Sequence, residues 1–171
     1  LGLSTKAPVC GVCLKSDILC QGCERKLKEG KISPKDIEVS RILFKLAHKH
    51  PGLDKVNFKR TIESGKFTVL VVGPGEIKLI VGRGGNIIKQ LQRQLGTKIR
   101  VIEEGASPRK LAQDILTPAK VLGINILYTQ GQEEYRIRVP SAHLRKLPAS
   151  IDALQDLLAK LTNRNMKIVF E

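Results

Sequence analysis

Val81-Gly82-Arg83-Gly84-Gly85-Asn86-Ile87-Ile88-Lys89-Gln90-Leu91 is the stretch on which the reading of this chain turns. Glycines at 82, 84 and 85, followed by apolar residues at helical spacing, describe a tight loop that opens a helix. Two chemistries use such a loop. In one, Ile77 to Val81 is a strand and the glycines cradle a dinucleotide. Lys98 to Ile102 is then the next strand, ending at Glu103, where an acidic ribose contact would fall. In the other, G-x-x-G joins two helices and grips a sugar–phosphate chain. The absence of Cβ atoms lets that chain approach, N–H groups at the start of the following helix face the phosphates, and Arg83 adds charge.

Details favour the second chemistry. The third glycine of G-x-G-x-x-G would fall at Ile87, whose branched side chain hinders close helix–strand packing. Glu76 and Lys78 follow a Gly73-Pro74-Gly75 break, which suits a helix start as well as a strand. No Gly-Lys-Ser/Thr follows the glycines, which excludes a P-loop. A dinucleotide-binding enzyme stays as the weaker alternative.

Working outward, the helix of Ile87, Ile88, Leu91 and Leu95 is closed by Gly96 and followed by a strand, Lys98 to Ile102. Upstream, Ser33-Pro34-Lys35-Asp36 reads as a helix start, with Ser33 the N-cap and Asp36 at N3. Val39, Ile42, Leu43 and Leu46 give its apolar face, and His50-Pro51-Gly52 ends it. Val56 to Ile62 and Phe67 to Val72 read as strands around the turn Glu63-Ser64-Gly65-Lys66. The second half repeats the order. Ser107-Pro108 opens a helix to Leu116, and strands are predicted at Val121 to Tyr128 and Tyr135 to Val139. Two helical stretches and a strand, Lys167 to Phe170, follow. The fold class is α+β, in three domains: a cysteine module at 1–30, a first αββααβ domain at 31–105 and a second at 106–171.

Charge supports the division. The chain has 30 Lys and Arg against 16 Asp and Glu, net +14. Residues 31–105 hold 15 against 7, net +8, and so form the electrostatic centre, where a polyanion would lie. Only 2 Tyr, 4 Phe and no Trp are present, which disfavours a sheet that stacks bases on exposed rings. His48, His50 and His143 sit in charged surroundings, and no nucleophile has an evident base, so no enzyme is expected. No apolar run approaches the ~20 residues of a spanning helix, and no secretory segment opens the chain. No membrane partner and a cytoplasmic location are therefore expected.

Cys10, Cys13, Cys20 and Cys23 form two Cys-x-x-Cys turns, a spacing that suits one structural zinc ion held by four thiolates. Two disulfides or an iron–sulfur cluster are the competing uses. So short a segment cannot bury a core, so metal would supply its folding energy, and chelation is expected to loosen residues 1–30 alone.

The run from Val81 to Leu91, continued by Leu95-Gly96-Thr97-Lys98-Ile99-Arg100-Val101, resembles the KH family. The helix-first order is similar to its type II arrangement, so two tandem type II KH domains are expected. The resemblance implies single-stranded RNA gripped by Gly82, Arg83, Gly84, Gly85 and Asn86. Lys78, Lys89 and Arg93 would line the groove, and Ile77, Val81 and Ile88 its floor. Ile115-Leu116-Thr117-Pro118-Ala119-Lys120-Val121 resembles the opening of the second KH domain of NusA. Residues 33–171 look like an archaeal NusA-like tandem KH protein, which implies a transcription elongation or termination accessory factor working near RNA polymerase. A ribosome-associated protein on ribosomal RNA is the alternative. One departure stands out. Leu144-Arg145-Lys146-Leu147-Pro148-Ala149-Ser150-Ile151 has no glycine where the second domain should carry G-x-x-G. That domain is expected to be degenerate, contributing basic residues such as Arg136, Arg138, Arg145 and Lys146.

Overall fold

The computed structural model describes residues 6–171 except Lys66. Packing divides them into two compact units. The first runs to Thr61 and resumes at Val69–Glu104, and the second comprises Ile62–Thr68 and Gly105–Glu171.

The first unit opens with two short helices, α1 (Gly11–Lys15) and α2 (Gln21–Lys28), then α3 (Pro34–Ala47). α3 starts where Ser33 and Asp36 form a reciprocal cap: Asp36 N–H donates to Ser33 Oγ (3.1 Å) and Ser33 N–H to Asp36 Oδ2 (2.9 Å). The Asp36 carboxylate is buried and also accepts Thr61 N–H and Oγ–H, both at 2.7 Å, so the cap fastens α3 to the first strand. β1 (Phe58–Ser64), β2 (Phe67–Val72) and β3 (Lys98–Glu103) form a sheet in the order β1-β2-β3. Central β2 is buried at every residue, which explains why only Thr68 interrupts its apolar run. α4 (Ile77–Val81) and α5 (Asn86–Leu95) lie between β2 and β3 in the chain. One core joins Val39, Leu43, Leu46, Leu53, Leu70, Ile80 and Leu91, so α3, α4 and α5 share a single apolar layer with the sheet.

The second unit has α6 (Pro108–Leu116), β4 (Gly123–Thr129), β5 (Gln132–Val139), a 3-10 turn (Ser141–Lys146), α7 (Ile151–Thr162) and β6 (Asn165–Phe170). Its sheet runs β4-β5-β6, antiparallel between β4 and β5 and parallel between β5 and β6. α6 packs on α7 and α7 on β6. Leu111, Ile115, Leu154, Leu157 and Leu158 are buried, as are Ile137, Val139 and Met166. From α3 onward the first unit thus shows helix, strand, strand, helix, helix, strand and the second helix, strand, strand, 3-10 turn, helix, strand, each with its second strand central.

The structure moves several predicted boundaries. β1 starts at Phe58 instead of Val56, because a 3-10 turn at Pro51–Lys55 takes Val56 as its cap. β4 starts at Gly123 instead of Val121, because Val121 N–H donates to Gln113 Oε1 (2.9 Å) and is tied to α6. β6 starts at Asn165, and Ile77 to Val81 is a helix. The first helical stretch after Val139 is only a 3-10 turn. The predicted turn at Glu63–Lys66 falls partly outside the described residues, at Lys66. His143 is more than a surface group, since its Nδ1 accepts Lys120 N–H at 3.0 Å.

Candidate nucleic-acid interface and cysteine centre

The glycine loop is held at both ends. Before it, the Glu76 carboxylate accepts Asn57 N–H and Nδ2–H (2.7 Å each) and Gly73 N–H (2.9 Å), which fixes the turn into α4. Gly73 makes this approach possible, because a Cβ there would lie 2.8 Å from Glu76 Oε2. After it, Ile87 and Leu91 are buried and anchor α5 in the core. Between these anchors the glycines do different things. Gly82 has φ +78°, closes α4 by donating to Lys78 O (3.0 Å), and is crowded where a Cβ would stand, by Asn86 Oδ1 and by Ile87 Cγ1 at 2.7 Å. Gly84 has φ +61° and nothing within 4 Å of where a Cβ would stand. Its outer side is open.

The start of α5 is open as well. Its N-cap is Gly85, which offers no side chain to the first-turn N–H groups. The corresponding helix of the second unit, α7, is capped by Ser150, whose Oγ accepts Ala153 N–H at 3.3 Å. An uncapped ten-residue helix offers donors and a partial positive charge to an anion, and a capped one offers less.

Lys78, Arg83, Lys89 and Arg93 are exposed around this loop. None of the ion pairs among the described residues uses them, whereas Lys35, Lys59, Lys110, Arg136, Arg138 and Lys160 each pair with an acid. Arg93 Nε donates to Lys89 O, at 3.4 Å. Asn86 is exposed at the head of α5, and Ile77, Val81 and Ile88 are half-buried beside it. The structure therefore brings Lys78, Gly82, Arg83, Gly84, Gly85, Asn86, Lys89 and Arg93 onto α4, the loop and α5. Arg145 and Lys146 are exposed on the 3-10 turn of the second unit.

The four cysteines form one centre. Their sulfurs all lie within 4.8 Å of one another, with Cys10 Sγ 3.4 Å from Cys13 Sγ and 3.8 Å from Cys20 Sγ. Four sulfurs at ~2.3 Å from a tetrahedral ion are about 3.8 Å apart, so the set fits a single metal. None is bonded to another, and they converge on one point instead of dividing into two pairs. Cys20 N–H donates to Cys13 Sγ (3.1 Å), Cys23 N–H to Cys20 Sγ (3.4 Å) and Cys10 N–H to Cys23 Sγ (3.5 Å). Such donors favour thiolate. Without metal, the Cys13 N–H lowers the Cys10 thiol to about 6. At Cys13 the donation from Cys20 favours the thiolate, but burial and the neighbouring sulfurs outweigh it and push the thiol up to about 12.

Two features here were not read from the sequence. The cysteine segment does not stand alone: Val9, Cys13, Leu14 and Cys23 share an apolar cluster with Ile32 and with Ile37 and Phe44 of α3. Arg41, also on α3, donates from Nε to Cys13 O at 3.1 Å, while its Nη2 is buried without a partner. The Glu76 lock was also missed, although the Gly73-x-x-Glu76 spacing carries a trace of a reciprocal cap.

This arrangement, two helices joined by a glycine turn beside a three-stranded sheet, defines a KH domain. The family model for the KH domain matches residues 67–117, which run from β2 through the loop to the end of α6. The chain therefore carries a KH domain, a module that supports binding of RNA. A solved structure described as "Crystal structure of APE1850", a small archaeal protein, is similar at 24% identity and TM-score 0.55. The likeness covers 75% of this chain and 95% of that one, and at this identity it speaks for the fold alone. No curated protein matches the chain. Among the described residues no helix is long and apolar enough to cross a membrane.

Proposed function

We propose that this protein grips about four nucleotides of single-stranded RNA against Gly82-Arg83-Gly84-Gly85 and the open head of α5. The observation that carries this reading is the combination at the loop. Gly84 has free space outside it, the helix behind it has no side-chain cap, and none of the ion pairs among the described residues engages the four surrounding cations. Each leaves a phosphate something to satisfy. Asn86, Lys78, Lys89 and Arg93 flank the backbone, and Ile77, Val81 and Ile88 offer an apolar floor to the bases.

In this reading residues 106–171 are a second, degenerate KH domain. Its strand order and its parallel final pair favour that descent, while the proline, the absence of glycine and the capped α7 argue against a second clamp. Cys10, Cys13, Cys20 and Cys23 hold one structural zinc ion. The broader role we assign is that of a NusA-like accessory factor of transcription, acting on RNA near polymerase. Recovery with polymerase after nuclease treatment supports that role, and co-sedimentation with ribosomal subunits would replace it with the ribosomal one.

The clamp itself is tested by changing Arg83 and Gly84 together to Asp. Two acids at the open side should lower RNA affinity by more than about tenfold, the scale of lost charge-assisted contacts. The melt should fall only by the backbone strain of a side chain at Gly84, φ +61°, about 1 kcal/mol, since neither position is packed in the core. Unchanged affinity would remove the loop from the interface.

A further inference from the structure

The free edge of the second sheet carries a feature that RNA binding does not use. β4 is an edge strand of seven residues, Gly-Ile-Asn-Ile-Leu-Tyr-Thr, and every residue from Asn125 to Thr129 is exposed. Edge strands resist pairing with other chains by carrying charge or proline. β4 has neither. It presents large apolar side chains on both sheet faces instead: Ile126 (42% exposed) and Tyr128 (74%) on one, Leu127 (36%) on the other.

The register shows what these residues continue. Ile126 lies opposite Tyr135, and Tyr135 opposite Met166, so the three form one row across the sheet. Tyr135 and Met166 are buried, while Ile126 at the end of the row is not. The core layer runs out to an uncovered edge.

We propose that β4 pairs antiparallel with β4 of a second copy of this chain, joining two three-stranded sheets into one of six. A twofold axis at Ile126 sets it against the partner's Ile126, Ile124 against the partner's Tyr128 and Asn125 against the partner's Leu127. On the face of Ile124, Ile126 and Tyr128 the strand is thus its own complement: apolar residues meet apolar ones, the row Met166-Tyr135-Ile126 continues into its copy, and no charge meets its like on either face. Two other occupants fit less well. RNA finds no cation in β4, and Arg136 and Arg138 on the adjoining strand are already paired with Glu134 and Glu171. A charged peptide finds no complementary charge.

Two consequences follow from magnitude. A single strand pair is smaller than a standard interface of ~1,600 Å², so the dimer is weak and concentration-dependent. The chain's net charge of +14 opposes it, so salt should strengthen association by screening, the reverse of its effect on RNA binding.

Sedimentation of the nuclease-treated, metal-loaded full chain over a range of concentration, at low and high salt, tests this. The expected result is a monomer–dimer equilibrium that tightens with salt and is lost in both Ile126→Lys and Leu127→Lys, which place charge on opposite faces of the edge. Both positions face water, and a wild-type melt certifies the fold of each variant. The proposal is overturned by a monomer at every concentration, by a dimer that survives both variants or only one, or by a dimer that disperses at high salt.

Discussion

Gly82 and Gly84 are two residues apart and share a positive φ, yet they answer different demands. Gly82 is crowded by Asn86 and Ile87, whereas Gly84 has empty space where a Cβ would stand. Alanine separates the two. Gly82→Ala meets both backbone strain and overlap with Ile87, and should lower stability by about 2–4 kcal/mol. Gly84→Ala meets only the backbone term, about 1 kcal/mol, while adding a methyl where the RNA backbone would pass. Urea midpoints should therefore move more for Gly82→Ala, and RNA affinity per folded molecule more for Gly84→Ala. Equal shifts in both would mean that the loop has no distinct inner and outer side.

Among the elements, the loop and its helix were legible in the sequence because their signals are local. Three glycines, an apolar face on Ile87 and Leu91, and a closing Gly96 lie within one turn of what they determine. The reciprocal cap of Ser33 and Asp36 was legible for the same reason. What the sequence hid depends on residues brought together by folding. Nothing near Glu76 announces that its carboxylate will reach Asn57, and nothing near Arg41 announces the Cys13 carbonyl. The cysteine pattern told which residues share a centre, but its local spacing could not show that the centre rests on α3. Arg41 makes that dependence testable. A tetrathiolate holding a divalent ion would carry net negative charge, which the half-buried Arg41, its Nη2 without a hydrogen-bond partner among the described residues, would offset. Arg41→Met keeps the packing but removes the charge and the bond to Cys13 O. Zinc affinity, measured against a chromophoric chelator, should fall about tenfold or more, and Arg41→Lys should restore part of it. Unaltered affinity in Arg41→Met would leave the arginine a purely structural strut.

For the molecule as a whole, the cluster shared by the cysteine segment and α3 revises what metal removal should do. Residues 1–30 were expected to loosen by themselves, but Val9, Leu14 and Cys23 are packed on Ile37 and Phe44. With the zinc ion proposed above in place, chelation should expose that side of α3 and lower the melting temperature of the first unit. A loss of about 2 kcal/mol, one large side chain's worth of burial, would show as a shift of several degrees. Hydrogen exchange should quicken along α3 while β4 to β6 keep their protection. An undisturbed α3 after chelation would show that the cluster survives without its ion.

β2 has a consequence of a different kind. A strand with water on neither side gives its amides little chance to reach deuterium by partial opening, so those of Val69–Val72 should exchange only when the whole first unit comes apart. Those few slow protons form a built-in clock, whose rate reads the unit's free energy directly and without denaturant.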